Sequence, residues 1–222
     1  MYKIFLVILI IFSISILSTS VFAQNTPTVE IIISSETYNF GDKLEYQITV
    51  SNVTGDNAII FITDESGEKS QLLTAPIGIE NTIITAPFAF DNVIWKEGLY
   101  ILEVTYSEAK STTMFYLVND GTISLPFWIK DVAMMWVTDD ATDKDYVRTV
   151  IGQLIEQDLI TNTYDSQLNK DVILIPTWHK IVAEWWTLGY MSDTEFVNNI
   201  QFLLEKNIIV IPESDLTIDS LI

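Results

Sequence analysis

The sequence predicts a multidomain protein of the β-then-α class, in which an antiparallel β-sandwich precedes two small helix-turn-helix repeats. Residues 28–118 alternate β-branched and aromatic residues with polar ones, which is the pattern of strands. Residues 126–160 recur in similar form at 176–209, which indicates a duplicated structural unit. An apolar run at the start of the chain stands apart from both regions and indicates export.

Residues 1–23 are predicted to be a secretory signal peptide. Lys3 precedes an uncharged apolar run, and residues 21–23 fit the small-residue site at which such signals are cleaved. We therefore expect Ala23 to end the signal, the protein to be secreted or held at the cell surface, and no membrane insertion after cleavage. The alternative is a retained anchor, because residues 4–23 carry no charge and could just span a bilayer.

Residues 28–118 are predicted to form the sandwich, because several short strand-like segments are separated by turn residues. The predicted strands are 29–34, 43–51, 58–65, 81–88, 99–107 and 112–118. Between two of them, Asn52, Val53 and Thr54 form an N-glycosylation sequon beside a turn. Asn52 is therefore a candidate glycosylation site if the chain is exported.

Residues 119–124 are predicted to be a linker. Copy one of the repeat then occupies 125–160, and copy two occupies 175–211. Residues 161–174 separate the copies, and 212–222 form a C-terminal tail. The matching positions are Pro126 and Pro176, Trp128 and Trp178, Lys130 and Lys180, Val132 and Val182, Ala133 and Ala183, Trp136 and Trp186, and Asp143 and Asp193.

Each copy is predicted to be a helix, a turn and a second helix. In copy two the turn contains Gly189, and Ser192 with Glu195 forms a capping box for the next helix. Copy one has a weaker box at Thr142 and Asp145. It also takes one residue more than copy two to complete its second helix, so we expect a π-bulge or a shifted helix end between residues 149 and 153.

The aromatic residues of the two copies are open to two interpretations. Bulky side chains are needed to build a core from short helices, so the first interpretation is that Trp128, Trp136, Trp178 and Trp186 are core residues. Alternatively, some of them form a binding surface, for which Trp185 fits best because copy one has Met135 at that position. The candidate binding surface comprises Trp128, Met135, Trp136, Trp178, Trp185, Trp186 and Tyr190.

The helical copies resemble a repeat of secreted and cell-envelope proteins of ammonia-oxidising archaea, whose pattern is IPxWIKxxAxWWxxGxISDxEFxxGIxxLIxxGII. Copy two matches it through residues that include Pro176, Trp178, Lys180, Ala183, Trp185, Trp186, Gly189, Ser192, Asp193 and Phe196. It departs from the pattern at His179, where the pattern has isoleucine, and at Asn207, where it has glycine. The resemblance implies location and architecture, and it implies no catalytic residue.

The strand region resembles the immunoglobulin-like, macroglobulin-type sandwich modules of archaeal surface proteins. The residues that carry this resemblance are Tyr38, Gly41, Asp42 and Leu44, then Ile60, Ile62, Asp64 and Gly67, and finally Trp95, Gly98, Tyr100, Leu102, Val104 and Tyr106. Such modules serve mostly as spacers or binding surfaces. The resemblance therefore implies a fold and leaves the function open.

Composition excludes several classes of function. The formal net charge of −19 repels nucleic acid and anionic membranes. The chain has no cysteine, so no disulfide can stabilise an exported fold. His179 is the single histidine, which makes a zinc or copper site and a Ser-His-Asp triad poor explanations; a surface or hydrogen-bonded histidine is the simpler reading.

We expect no cofactor and no metal. Asp139, Asp140, Asp143 and Asp145 cluster in the turn of copy one and could offer oxygen ligands to calcium, but their spacing is not that of an EF-hand.

The function that the sequence favours is an exported, non-catalytic protein of the cell envelope or extracellular space that binds or assembles through protein contacts. One alternative is a glycan-binding module that uses exposed Trp and Tyr. Another is an unrecognised hydrolase, because the many acids always supply a pair of carboxylates.

Overall fold

A computed structural model describes residues 26–161 and 172–216 of the chain. The predicted signal peptide, most of the segment between the two copies and the end of the tail lie outside these residues. Across the two described ranges, no helix combines the length and apolar character that crossing a bilayer would require.

The first part of the chain forms two packed β-sheets. The strands are β1 (Val29–Ile33), β2 (Thr37–Asn39), β3 (Glu45–Val50), β4 (Asn57–Thr63), β5 (Lys69–Pro76), β6 (Asn81–Thr85), β7 (Gly98–Tyr106) and β8 (Ala109–Val118). One sheet has the order β1-β3-β6 and the other β2-β8-β7-β4-β5. This arrangement is consistent with an immunoglobulin-like β-sandwich.

The sheets are not purely antiparallel, which corrects the sequence-based prediction. β2 pairs with β8 in parallel, while the other strand pairs are antiparallel. The chain leaves one sheet after β1 and joins the other at β2, where the Tyr116 amide donates to the Glu36 carbonyl at 2.9 Å. β2 and β5 were missed in the sequence because β2 is very short and β5 is an edge strand with mostly exposed positions. Pro76 is tolerated there because an edge strand has no partner for every amide.

Strict alternation along the strands builds the core of the sandwich. In β3, Tyr46, Ile48 and Val50 are buried, whereas the residues between them face outward. Leu102, Val104 and Tyr106 of β7 are fully buried in the same cluster. Because side chains alternate with a period of two, one face of each strand is removed from water while the other stays solvated.

The second part of the chain is helical. The helices are α1 (Phe127–Val137), α2 (Asp143–Tyr146), α3 (Gly152–Glu156), α4 (His179–Thr187), α5 (Asp193–Glu205) and α6 (Glu213–Leu216). Capping boxes begin α2 and α5, with Thr142 bonding to Asp145 and Ser192 bonding to Glu195 as the sequence predicts. α1 and α4 pack against each other.

A π-helical segment, Val147–Ile151, joins α2 to α3. It confirms the prediction that copy one absorbs an extra residue in its second helix, although it begins two residues earlier than predicted. The Gly152 amide donates to the Val147 carbonyl, which is the five-residue step of a π-helix. Val147, Val150 and Ile151 stay buried, so the wider turn keeps the apolar side chains of copy one on the core.

The sandwich and the helices are in contact. The Ile123 amide donates to Thr194 Oγ1 at 2.9 Å, and the Leu125 amide donates to Asp193 Oδ2 at 2.7 Å. On the sandwich side, the Ser124 amide donates to Asn92 Oδ1 at 2.7 Å. Within the segment predicted as a linker, Ser124 therefore bonds to the sandwich and Ile123 to the helices.

Candidate interaction surface of the helical region

Trp136 and Trp186 are core residues. Each is fully buried, and each indole Nε1 donates to an aspartate seven residues later: Trp136 to Asp143 and Trp186 to Asp193, both at 2.7 Å. Burial of an indole is favourable only when its N–H finds a partner, and these aspartates provide it. Their assignment to the candidate binding surface is therefore wrong.

Aromatic stacking holds the two buried indoles in place. Trp136 stacks on Tyr146 with ring centroids 4.0 Å apart, and Trp186 stacks on Phe196 at 3.7 Å. Tyr146 and Phe196 occupy matching positions of the two copies. The Trp and Asp positions shared by the copies are thus explained by packing and hydrogen bonding within each helix pair.

The matching lysines reach across from one copy to the other. Lys130 Nζ lies 2.6 Å from Asp193 Oδ1 and 5.5 Å from the centre of the Trp186 ring. In the opposite direction, Lys180 pairs with Asp139 and lies over the Trp136 ring. Each ammonium gains both an ion pair and a cation–π contact. Both lysines of the packed helices α1 and α4 are therefore engaged internally.

His179 is buried, and it links the two copies. Its Nε2 lies 2.9 Å from the Tyr146 hydroxyl, while Nδ1 has no protein partner. Burial lowers the pKa of His179 to about 4, because the charged imidazolium would lose its hydration. The ring therefore serves as a neutral core residue where the resembling repeat has isoleucine.

The remaining candidate residues are exposed to different degrees. Trp178 is 46% exposed, Trp185 51%, Met135 47% and Tyr190 80%, so these side chains are available for contact. Trp128 is only half-buried and packs against the core. The adjacent residues Trp185 and Trp186 therefore differ, because Trp185 is half exposed and Trp186 is fully buried.

Trp178 and Trp185 lie on one exposed apolar face of α4 and its two flanking residues. Ile181 is 49% exposed and Leu188 53% exposed, and together with the two tryptophans they have the spacing i, i+3, i+7 and i+10. Residues so spaced lie on the same side of a helix, over a length of about 15 Å. We call Trp178, Ile181, Trp185 and Leu188 the α4 face.

Sequence reasoning missed Ile181 and Leu188, although a signal was present. The matching positions of copy one are Asp131 and Thr138, both exposed and polar. A position that is exposed in both copies, yet apolar in only one, cannot be explained by the shared packing of the unit. Comparison of the two copies at outward positions would have identified the α4 face.

The exposed carboxylate of α4 that borders the α4 face belongs to Glu184. Glu184 is exposed and lies three residues from Ile181 and four from Leu188, so it is their neighbour on the helix surface. Asp131 is exposed on the neighbouring helix α1. Lys130 and Lys180 are committed to aspartates and indoles, so neither is free to neutralise these carboxylates.

The aspartates of the copy-one turn are used within the protein. Asp139 pairs with Lys180, Asp140 accepts from Thr138 Oγ1, Asp143 accepts from Trp136 and Asp145 completes the capping box. Hydrogen bonds from Thr142 lower the pKa of Asp145. Within the described ranges, no three His, Asp or Glu side chains converge in a way that could hold a metal ion.

Burial raises the pKa of the Asp91 carboxyl group. Its Oδ1 accepts from the Val93 and Ile94 amides, at 3.0 and 2.8 Å, so it closes a turn of the sandwich.

Asn52 lies on an exposed loop, where Thr54 of the sequon donates to Asp56 Oδ2 at 2.9 Å. The sequon is therefore at the surface, as a glycosylation site has to be.

Comparison with known proteins gives structural likenesses only. No protein-family model matches the chain, and no curated protein matches it. Among solved structures, a PKD domain of an M14-like peptidase from Thermoplasmatales archaeon SCGC AB-540-F20 is 13% identical, with a TM-score of 0.25, and the match covers 42% of this chain and 97% of that one. The M1 domain from titin is 12% identical, with a TM-score of 0.27, over 43% of this chain and 94% of that one. Likenesses this distant say nothing about function.

Proposed function

We propose that this protein is an exported, non-catalytic binding or assembly protein of the cell envelope or extracellular space, and that it acts through protein contacts of its helical part. The observation that supports the proposal is the α4 face, with two half-exposed tryptophans and two half-exposed aliphatic residues on one helix. Exposed aromatic residues grouped with aliphatic ones are typical of sites where protein partners bind. The resemblance of both parts to modules of archaeal surface proteins agrees with this role.

In this proposal the two helical copies are a duplicated unit that has diverged in use. Most positions that match between them build the core, namely the buried Trp and Asp pairs and the lysines that cross between copies. Trp128 and Trp178 also match, although Trp178 is 46% exposed. The outward positions differ, because Met135, Asp131 and Thr138 stand where copy two has Trp185, Ile181 and Leu188. Copy one thus supports the structure, while copy two carries the binding face.

Retention on native cell envelope tests the function. The full chain should be retained, and the double variant Trp178→Ala/Trp185→Ala should be washed away, because it removes both aromatic anchors while leaving the fully buried Trp136 and Trp186 in place. A matched control is Met114→Ala/Tyr116→Ala on β8, where the side chains are 56% and 51% exposed. If the β8 variant loses retention and the α4 variant keeps it, the sandwich carries the binding surface and the proposal is wrong.

A glycan-binding role is the second candidate, favoured by the exposure of Trp178, Trp185 and Tyr190. Flat aromatic rings stack on sugar faces, and Tyr190 adds a hydroxyl. Against it, Ile181 and Leu188 interrupt the aromatic rings with branched aliphatic side chains that offer no hydrogen bond. Retention that survives protease treatment of the envelope but is lost after glycosidase treatment would favour the glycan over the protein partner.

Export is tested separately on the mature protein. We expect its N-terminal sequence to begin at Gln24, and a protein that begins at Met1 would instead support the retained anchor. If the secreted chain is glycosylated at Asn52, the intact mass should exceed that of the polypeptide, and the variant Asn52→Gln should remove the excess. An unmodified wild-type mass would show that the sequon is unused.

A further inference from the structure

We infer that the α4 face binds an amphipathic segment of a partner protein that carries lysine or arginine beside its apolar residues. The inference rests on the proposed function and names the chemistry of the partner. It follows from the shape of the face, from the charges around it, and from the way this fold uses its own lysines.

The apolar stripe defines the size and kind of the occupant. Trp178, Ile181, Trp185 and Leu188 are each about half exposed and lie in line along α4. A stripe of about 15 Å matches roughly ten residues of a partner helix. Two large aromatic side chains, with Ile181 between them and Leu188 beyond them, form an apolar stripe against which the apolar face of a helix can pack.

The surrounding charge selects among apolar partners. Glu184 lies within the stripe's own surface, and Asp131 is exposed on the helix that packs against α4. In the structure the lysines of these two helices pair with other carboxylates, Lys130 with Asp193 and Lys180 with Asp139. A partner with cationic side chains at the rim of its apolar face would restore the balance, and an acidic one would be repelled.

The same charge argues against two other occupants. A second copy of this chain would bring a formal net charge of −19 against an equal charge, and its own α4 face would place a carboxylate near Glu184. An anionic membrane surface is repelled for the same reason. A cationic, amphipathic protein segment is the occupant that satisfies both the apolar stripe and the carboxylates.

Three synthetic peptides provide the test. They share one leucine face and one length, and carry lysine, glutamine or glutamate on the polar face. The lysine peptide should bind the purified protein and shift its tryptophan fluorescence to the blue, because Trp178 and Trp185 leave water. It should bind at least about tenfold more tightly than the glutamate peptide, with an affinity that falls as salt is added. The glutamine peptide should lie between them.

Variants of the face make the test specific. Trp185→Met introduces the residue of copy one, and Ile181→Ser removes an apolar side chain without adding a charge; each should weaken binding of the lysine peptide at least about tenfold. Glu184→Gln should weaken binding of the lysine peptide by about two- to fivefold and leave the affinity for the glutamine peptide unchanged. Tyr116→Ala removes a side chain as exposed as Trp185, but on the sandwich, and should change nothing.

Circular dichroism and thermal melting check that each variant is folded. Equal binding of all three peptides, or unchanged binding of the lysine peptide to folded Ile181→Ser, would overturn the inference, as would the absence of binding to any peptide. Failure here is distinct from failure of the proposed function. If no peptide binds while envelope retention still depends on Trp178 and Trp185, the α4 face is a binding surface but its partner is not a cationic amphipathic segment.

Discussion

At the scale of single residues, adjacent side chains have opposite roles. Trp186 is fully buried, stacked on Phe196 and hydrogen-bonded to Asp193, whereas half of Trp185 is in water. Both are tryptophans of one helix, so a substitution at each removes the same atoms. The difference between the two measurements isolates what the core contributes.

We expect Trp186→Ala to lower the free energy of unfolding by about 3–5 kcal/mol, because it opens a cavity and leaves the Asp193 carboxylate with one partner fewer. Trp185→Ala should lower it by less than about 1 kcal/mol, since it removes a largely exposed group. Urea titrations followed by circular dichroism measure both. Similar losses for the two variants would show that Trp185 is a core residue and that the α4 face is smaller than described.

His179 makes the free energy of unfolding depend on pH. Its pKa in the folded state is about 4, below its ordinary value near 6.5. The unfolded chain therefore takes up a proton at higher pH than the folded one. The contribution of neutral His179 to the free energy of unfolding is fully present above pH 6.5. It is lost as the pH falls towards 4, by up to about 3 kcal/mol.

The variant His179→Ile tests this dependence, since isoleucine cannot titrate. Between pH 6.5 and 4 its free energy of unfolding should fall less steeply than that of the wild type, whatever the constant offset from losing the bond to Tyr146. Tyr146→Phe keeps the histidine and should retain the steep dependence. If the wild type and His179→Ile have parallel pH profiles, folding does not lower the pKa of His179.

At the scale of elements, the π-helical segment shows how a length difference is accommodated. Copy one has one residue more than copy two in its second helix, and Val147–Ile151 absorbs it as a wider turn. This could be predicted by counting residues between matching positions. The two-residue error in its location has a physical reason: a π turn can form anywhere along the helix that keeps Val147, Val150 and Ile151 buried.

Deletion of Thr149 should therefore be tolerated. It removes the extra residue and places Ile151 where copy two has Ile200, so an ordinary α-helix can replace the π turn. We expect a loss of no more than about 1–2 kcal/mol in the free energy of unfolding. The matched deletion of Asn199 in α5 rotates the following apolar residues by about 100° away from the core. That deletion should cost far more, and equal losses would show that the π turn is required.

Most of the helical pattern could be predicted, and most of the surface could not. The capping boxes at Thr142 and Ser192 were visible because they depend on residues three positions apart. The core interpretation agrees with the burial of Trp136 and Trp186 and is wrong for Trp178, which is 46% exposed. Which indole reaches an aspartate is decided only after the chain has turned, and periodicity does not contain that information. The lysine contacts between the copies are likewise tertiary, because residues far apart in the sequence form them.

At the scale of the whole molecule, Asp193 joins three parts of the structure. Its Oδ1 accepts from Trp186 Nε1 at 2.7 Å and pairs with Lys130 Nζ at 2.6 Å. Its Oδ2 accepts at 2.7 Å from the Leu125 amide, at the point where the chain passes from the sandwich to α1. Asp143 is the matching residue of copy one, and the bond described for its side chain is the one from Trp136. Asp143 thus acts within its own helix pair, whereas Asp193 connects its helix pair to α1 and to the end of the sandwich.

We expect Asp193→Ala to lower the free energy of unfolding by about 3 kcal/mol or more, since it leaves Lys130, the Trp186 indole and the Leu125 amide without their acceptor. Asp143→Ala should cost only about 1–2 kcal/mol. Differential scanning calorimetry should also show Asp193→Ala unfolding in two separated steps, as the helices lose their tie to the sandwich, whereas Asp143→Ala keeps the transition shape of the wild type. If the two variants lose the same stability with one shared transition shape, Asp193 does not couple the sandwich to the helices.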